Sequence, residues 1–213
     1  MDFTHRQSEG HDGEINYLNT ELLKSGCAVS VAGQQQLVNF FSHFEAWNKV
    51  HNLTSLPTKS EQIRALLAPC LRLRPILKTY DCILDLGCGG GFPGLVLGIL
   101  DEEKKWVLVE KSNKKSNFLR FCKQAMALKN IEIYNGDFLK MPVDRDVKAI
   151  VSRGSAKLDL QVIWTEEWRA QGCPLISMQS EKSLQDAQYA NAMQVVPLDL
   201  PGKEETLRVV IIP

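Results

Sequence analysis

The chain has 213 residues, 44% of them hydrophobic, which suits one globular domain with an extension and supplies a sizeable core. Its 25 basic and 25 acidic residues cancel, so the molecule as a whole casts no long-range field toward nucleic acid, and any RNA partner must be met by a local basic patch. No apolar stretch approaches the roughly 20 residues that span a bilayer, and Met1 to Glu9 is polar where a signal peptide is apolar; the expectation is a soluble, cytoplasmic protein.

Residues 1–14 are polar and expected to fray. A helical pattern starts at about Ile15, and Leu37, Phe40, Phe41, Phe44 and Trp47 draw one apolar stripe at helical spacing. Asn52 to Pro57 reads as a turn-rich loop. A second helical stretch runs from about Ser60 to Leu77, with Ile63, Leu66, Leu67 and Leu71 on one face and Pro69 expected to kink or split it. Residues 1–78 thus form an N-terminal helical extension, and 79–213 a second part of different character, the two expected to make one compact unit.

From Cys82 the chain alternates strands and helices. Strands are expected at Cys82 to Leu86, Lys105 to Glu110, Ile131 to Tyr134, Ala149 to Ser152 and Pro174 to Met178, with closing strands at Gln194 to Leu198 and Leu207 to Ile212. Helices are expected at Pro93 to Leu100, at Lys114 to Leu128 with Phe118, Leu119, Cys122, Ala125 and Met126 inward, and at Leu158 to Gln171. The fold class implied is α/β: a doubly wound, mostly parallel, Rossmann-like sheet covered on both faces. The six cysteines form no Cys-x-x-Cys pair and lie away from the histidines, so they read as buried thiols and no metal site is expected.

Ligands in such sheets sit beyond the carboxyl ends of the strands, and the first strand ends in Asp85-Leu86-Gly87-Cys88-Gly89-Gly90-Gly91-Phe92. Glycines there permit a sharp turn and close approach of a ligand. Gly89-x-Gly91-x-x-Gly94 also satisfies the dinucleotide pattern, which alone is weak. Asp85, ahead of the glycines, suits the cationic amino-acid part of S-adenosylmethionine. Glu110 ends the second strand, 19 residues after Gly91, where a carboxylate accepts from ribose hydroxyls of either cofactor. Asp137, after Asn135 and Gly136 at the end of the third strand, is placed to accept from an adenine amino group, with Phe138 packing nearby. An NAD-dependent dehydrogenase lacks its other half: there is no Tyr-x-x-x-Lys pair, and all four histidines precede this region. Methyl transfer asks mainly for alignment of nucleophile, methyl and sulfur.

The sequence resembles the bacterial small-subunit (16S) ribosomal RNA guanine-N7 methyltransferases, the glucose-inhibited division protein B family. The resemblance rests on Trp47-Asn48-Lys49-Val50-His51-Asn52-Leu53-Thr54-Ser55, on Leu84 to Gly94 with its Phe92-Pro93-Gly94 ending, on Val109 to Leu119, and on Val151-Ser152-Arg153-Gly154-Ser155-Ala156. It implies a Rossmann-like methyltransferase behind a helical cap, methylating N7 of one guanine with S-adenosylmethionine. It implies cofactor contacts at Gly87, Phe92, the Asn135-Gly136 backbone and Arg153. Asn52, Lys114, Lys115 and Arg153 would face RNA. The sequence departs from the family at Arg64 to Cys70, which holds neither the His nor the Asp of His-x-x-Asp-Ser, and at Met178-Gln179-Ser180, where Lys-Gly is usual.

These readings give Asp85, Gly87, Gly89, Gly91, Phe92, Glu110, Asn135, Gly136, Asp137 and Arg153 as cofactor residues, with Asn52 and Arg153 positioning the reactants. Lys114 and Lys115 open a helix, where cations oppose the helix dipole, and so suggest phosphate contact. Arg153 alternatively pairs with Asp85 or Asp137, and Asn52 alternatively caps a helix. The partner expected is small-subunit rRNA or a ribosomal particle, met by a monomer with no membrane. The alternatives are a methyltransferase of this fold acting on another nucleotide or small molecule, and a non-catalytic ribosome-binding module.

Overall fold

The structure is a computed structural model that describes residues 18–26, 28–144, 146–184, 194–198 and 207–213. The fraying expected of residues 1–14 lies outside these. Residues 18–25 are helical and stop at Gly26, whose φ of +65° suits glycine at a helix end. The helix α1 (Val31–His51) then starts afresh, with the Ser30 hydroxyl accepting from Gly33 N. The single helical pattern from Ile15 is therefore two helices, divided where Gly26 turns the chain and Ser30 caps the restart.

The second helical stretch runs as α2 (Lys59–Gln62), a π-helical turn (Ile63–Leu67) and α3 (Ala68–Leu73). Thr58 and Glu61 form a reciprocal capping box at its start. Pro69 does not split the run. It has no amide to donate, and the chain widens to π geometry just before it.

Seven strands, β1 (Cys82–Leu86), β2 (Lys105–Glu110), β3 (Ile131–Asn135), β4 (Ala149–Arg153), β5 (Leu175–Ser180), β6 (Gln194–Leu198) and β7 (Leu207–Ile212), form one sheet in the order β3-β2-β1-β4-β5-β7-β6. The first five pair in parallel, while β7 runs antiparallel to both β5 and β6. The helices α4 (Gly94–Leu100) and α5 (Asn113–Ala125) make the crossovers from β1 to β2 and from β2 to β3. Leu158 to Gln171 is two short helices, α6 (Leu158–Trp164) and α7 (Glu166–Arg169), separated at Thr165, and a further helix, α8 (Glu181–Leu184), follows β5. Ala125, expected inward, is exposed because it is the last residue of α5, at the edge of a stripe carried by Phe118, Leu119, Cys122 and Met126.

Strand alternation divides the core. Ile83, Leu108, Ile131 and Val151 face one layer, in which α1, α3, α4 and α5 pack; Leu84, Leu86, Val109 and Ile150 face the other, with Leu158, Val162 and Trp168. The N-terminal helices are bound into the first layer by rings. Phe40 lies 5.4 Å from Phe41, 5.9 Å from Phe44, 5.4 Å from Phe92 of the glycine turn and 6.2 Å from Phe118 of α5. Arg74 adds polar ties, donating to Asp101 Oδ1 at 2.8 Å and to Ala28 O at 2.9 Å. Among the described residues no helix is long and apolar enough to cross a membrane. Because Phe40 is wholly buried and touches four rings, Phe40→Ala should cost about 3–5 kcal/mol of unfolding free energy, read as a lowered midpoint in urea.

Candidate active site

The strand order reverses between β1 and β4, and the loops after these two strands flank the opening. After β1 the chain makes a turn with Gly87, Gly89 and Gly91 at φ of +72°, +57° and +93°, a region open to glycine. The Gly87 and Cys88 amides both donate to Val109 O, at 3.0 and 3.1 Å, which folds the turn back over β2. A Cβ on Gly87 would stand 2.6 Å from Ser155 Cβ, so the loops after β1 and β4 touch there.

Two carboxylates grip this turn from below. Asp85 is fully buried and Oδ2 accepts from Gly94 N at 2.7 Å, holding the start of α4. A Cβ on Gly94 would lie 2.6 Å from that oxygen, which is why the turn ends in glycine. Asp85 Oδ1 is buried without a partner among the described residues. Burial pushes the Asp85 carboxyl up to about 7; the Gly94 amide and Arg153 oppose the rise and Glu110 adds to it. Glu110 accepts from Gly89 N through Oε2 at 2.9 Å and from Ser112 N through Oε1 at 2.7 Å. Its main-chain carbonyl accepts from Asn135 Nδ2 and Gly136 N, both at 3.1 Å, so the ends of β2 and β3 are fixed together.

Two cavities open at this end of the sheet. The larger, about 430 Å³, is lined by Gly87, Glu110, Gly136, Asp137, Phe138 and Trp164 among others. Its volume falls within the range of roughly 300–1,000 Å³ usual for small-molecule sites. The smaller, about 320 Å³, is lined by Gly87, Cys88, Gly89, Gly90, Phe92 and Arg153 together with Phe44, Leu53, Thr54 and Leu66 from the N-terminal helices. Gly87, Lys115 and Gly154 line both. The larger cavity fits a nucleoside: two carboxylates, Glu110 and Asp137, line it at adjacent strand ends, and Phe138 supplies an apolar wall. Asp137 also caps the short 3-10 turn Phe138–Lys140, its Oδ1 accepting from Leu139 N at 3.2 Å.

The remaining sequence-derived residues fall as follows. Asp85 and Gly91 line neither cavity: Asp85 lies beneath the turn, and Gly91 is a buried residue within it. Phe92 is buried among Phe40, Phe41 and Phe44 and forms part of the smaller cavity's wall. Asn52 caps α1 in the left-handed conformation, its own N–H donating to Asn48 O; its neighbours Leu53 and Thr54, rather than Asn52, line the smaller cavity. Lys114 is exposed, whereas half-buried Lys115 sits where the cavities meet. Arg153 pairs with neither Asp85 nor Asp137. It reaches to the π-helical turn and donates to Ala65 O at 2.8 Å and Leu66 O at 3.3 Å. Ala65 is the residue whose carbonyl an α-helix would offer to position 69, and Pro69 has no N–H to give. Ser155, Trp164, Phe44 and Leu66 were not expected at the site. Phe44 and Leu66 carried a signal only for core, because a helical stripe does not say which of its residues meets a cavity.

The comparisons with known proteins agree with this geometry. The sequence model of the family described as GidB, rRNA small subunit methyltransferase G, matches residues 33–208. The chain belongs to this family. It is 33% identical over 147 residues to the ribosomal RNA small subunit methyltransferase G of Marinobacter nauticus, covering 69% of this chain and 68% of the relative. The protein of the same name from a Marinomonas species is 28% identical over 190 residues, covering 87% and 91%. A SAM-dependent methyltransferase structure from Aquifex aeolicus superposes with a TM-score of 0.54 at 16% identity, covering 78% of this chain and 98% of that one. The family is one of rRNA methyltransferases, so the dehydrogenase alternative left open by Gly89-x-Gly91-x-x-Gly94 is set aside.

Two measurements check the geometry. A carboxyl whose folded pKa is raised binds its proton more tightly when folded, so ionising Asp85 withdraws stability as pH climbs from about 4 to about 7. Asp85→Asn should therefore gain Tm relative to the parent as pH is raised across that window, with the difference level above about pH 8 in scanning calorimetry. Arg153→Ala removes the donor to two carbonyls and should cost about 1–3 kcal/mol, with faster amide exchange confined to residues 63–70.

Proposed function

We propose that this S-adenosylmethionine-dependent rRNA methyltransferase holds its cofactor in the larger cavity and presents N7 of a guanine of small-subunit 16S rRNA in the smaller one. The observation that carries this is the junction: Gly87, Lys115 and Gly154 border both cavities, so two ligands seated in them meet at a single place. Glu110 keeps free lone pairs beyond its bonds to Gly89 and Ser112 and accepts from the ribose hydroxyls. Asp137 accepts from the adenine amino group, with Phe138 against the ring and the Asn135-Gly136 backbone at its edge.

S-adenosylmethionine supplies an activated methyl group on a cationic sulfur. Guanine N7 carries a lone pair at neutral pH, so no protein group has to remove a proton. The chain's task is to align N7, methyl and sulfur and to keep water from the junction. Glycine at 87 lets the wall of that junction close: a Cβ there would collide with Ser155, so the loops after β1 and β4 could not come together. Lys114 and Lys115 meet phosphates of the rRNA or of the small-subunit particle, and the protein acts as a monomer in the cytoplasm.

The decisive experiment incubates the protein with labelled S-adenosylmethionine and either small-subunit particles or naked 16S rRNA, then maps the methylated base. Incorporation at one guanine N7 is expected. Retained cofactor affinity with no incorporation into either RNA would sink the acceptor assignment. Glu110→Gln should weaken the cofactor Kd about tenfold or more by calorimetric titration.

A further inference from the structure

A row of rings runs along the outside of α1 and α5, beside the smaller cavity. His51 and Trp47 lie 5.0 Å apart between centroids, Trp47 and Phe121 5.6 Å, and Phe121 and His43 5.0 Å. His51 is exposed, Phe121 is 38% exposed and Val50 beside them 72% exposed, while Trp47 and His43 are half-buried. This is more ring surface at the boundary with water than packing between two helices requires. The row adjoins the acceptor site at both ends of its sequence: Leu53 and Thr54 of the cavity wall follow His51 by two and three residues, and α5 carries Lys115 of the junction and Phe121 on the same helix.

The charges here favour a polyanion. The helix α5 contains no carboxylate and carries Lys114, Lys115, Arg120 and Lys123. The single carboxylate of α1, Glu45, is neutralised by Lys49 and Lys59, each at 3.3 Å. Lys114 forms no ion pair among the described residues. Exposed rings flanked by unpaired cations are how proteins hold single-stranded nucleic acid, since each base offers a face to stack and each nucleotide a phosphate. An apolar protein partner would instead leave these cations facing nothing.

We propose that His51, Trp47, Phe121 and His43 form a stacking platform for unpaired nucleotides flanking the target guanine, with Lys114 on their phosphates. This inference rests on the rRNA reading above, and it assigns the mode of recognition: bases stacked on rings in a single strand, rather than the outline of a duplex. It also separates two contributions, stacking from the ring row and salt-sensitive attraction from the start of α5.

The test measures binding of the full chain to a fluorescently labelled single-stranded RNA containing a guanine, and to the same sequence as a duplex, across a range of salt. Phe121→Ala and His51→Ala should each weaken single-strand binding roughly fivefold to a hundredfold, leave the slope of log affinity against log salt unchanged, and leave the cofactor Kd unchanged. Phe121→Trp should restore binding. Lys114→Ala should flatten that slope by about 0.7. The proposal is overturned if both ring variants bind within twofold of the parent, if the duplex binds as tightly as the single strand, or if Phe121→Ala loses RNA and cofactor affinity together. Methyl incorporation is read separately: a protein that stacks RNA as described yet methylates no rRNA overturns the functional reading and upholds the platform.

Discussion

The site depends on two carboxylates that hold one glycine turn. Asp85 takes the amide of Gly94 and Glu110 the amide of Gly89, so the turn is pinned at its end and its middle by groups from neighbouring strands. The Asp85 oxygen satisfies an amide that would otherwise be sealed away from water. The close approach this needs is open only where no Cβ intervenes, which fixes Gly94 against Asp85 and Gly87 against Ser155. The turn then dictates where both cavities lie. It forms one wall of each, and Gly87 stands between them.

The same turn connects the sheet to the N-terminal helices. Phe92 projects from it into Phe40, Phe41 and Phe44, so the helical segment covers the site as part of one core. A second link runs the other way. Arg153, at the end of β4, spans the smaller cavity's wall to the π-helical turn before Pro69. The stretch Arg64 to Cys70 is thus where an arginine of the sheet is held by backbone carbonyls. One of those carbonyls, that of Ala65, lacks its α-helical donor because Pro69 has no N–H.

Carboxylates in this site serve structure and ligand at once. Glu110 orders the turn and faces the nucleoside cavity, and Asp137 caps a 3-10 turn while facing the same space. A group already held by backbone amides loses little freedom when a ligand arrives, which favours binding without rearrangement. Asp85 differs: buried, it has one oxygen committed and the other without a partner among the described residues.

Much of this was legible in the sequence. The alternation of short apolar runs with helical stripes determined an α/β sheet, because burial on both faces leaves strands continuously apolar, and glycines after the first strand marked the turn. Glu110 and Asp137 could be placed at strand ends by counting alone. Tertiary structure decided the rest. Spacing could not show that Asp85 lies under the turn, that Arg153 reaches back to residues 65 and 66, or that Asn52 ends a helix while its neighbours line the cavity. Those facts depend on which elements pack together, and that is fixed by the rings of α1 meeting Phe92 across 48 or more residues of chain. Local pattern determined the elements and the turn; long-range packing decided what the turn faces.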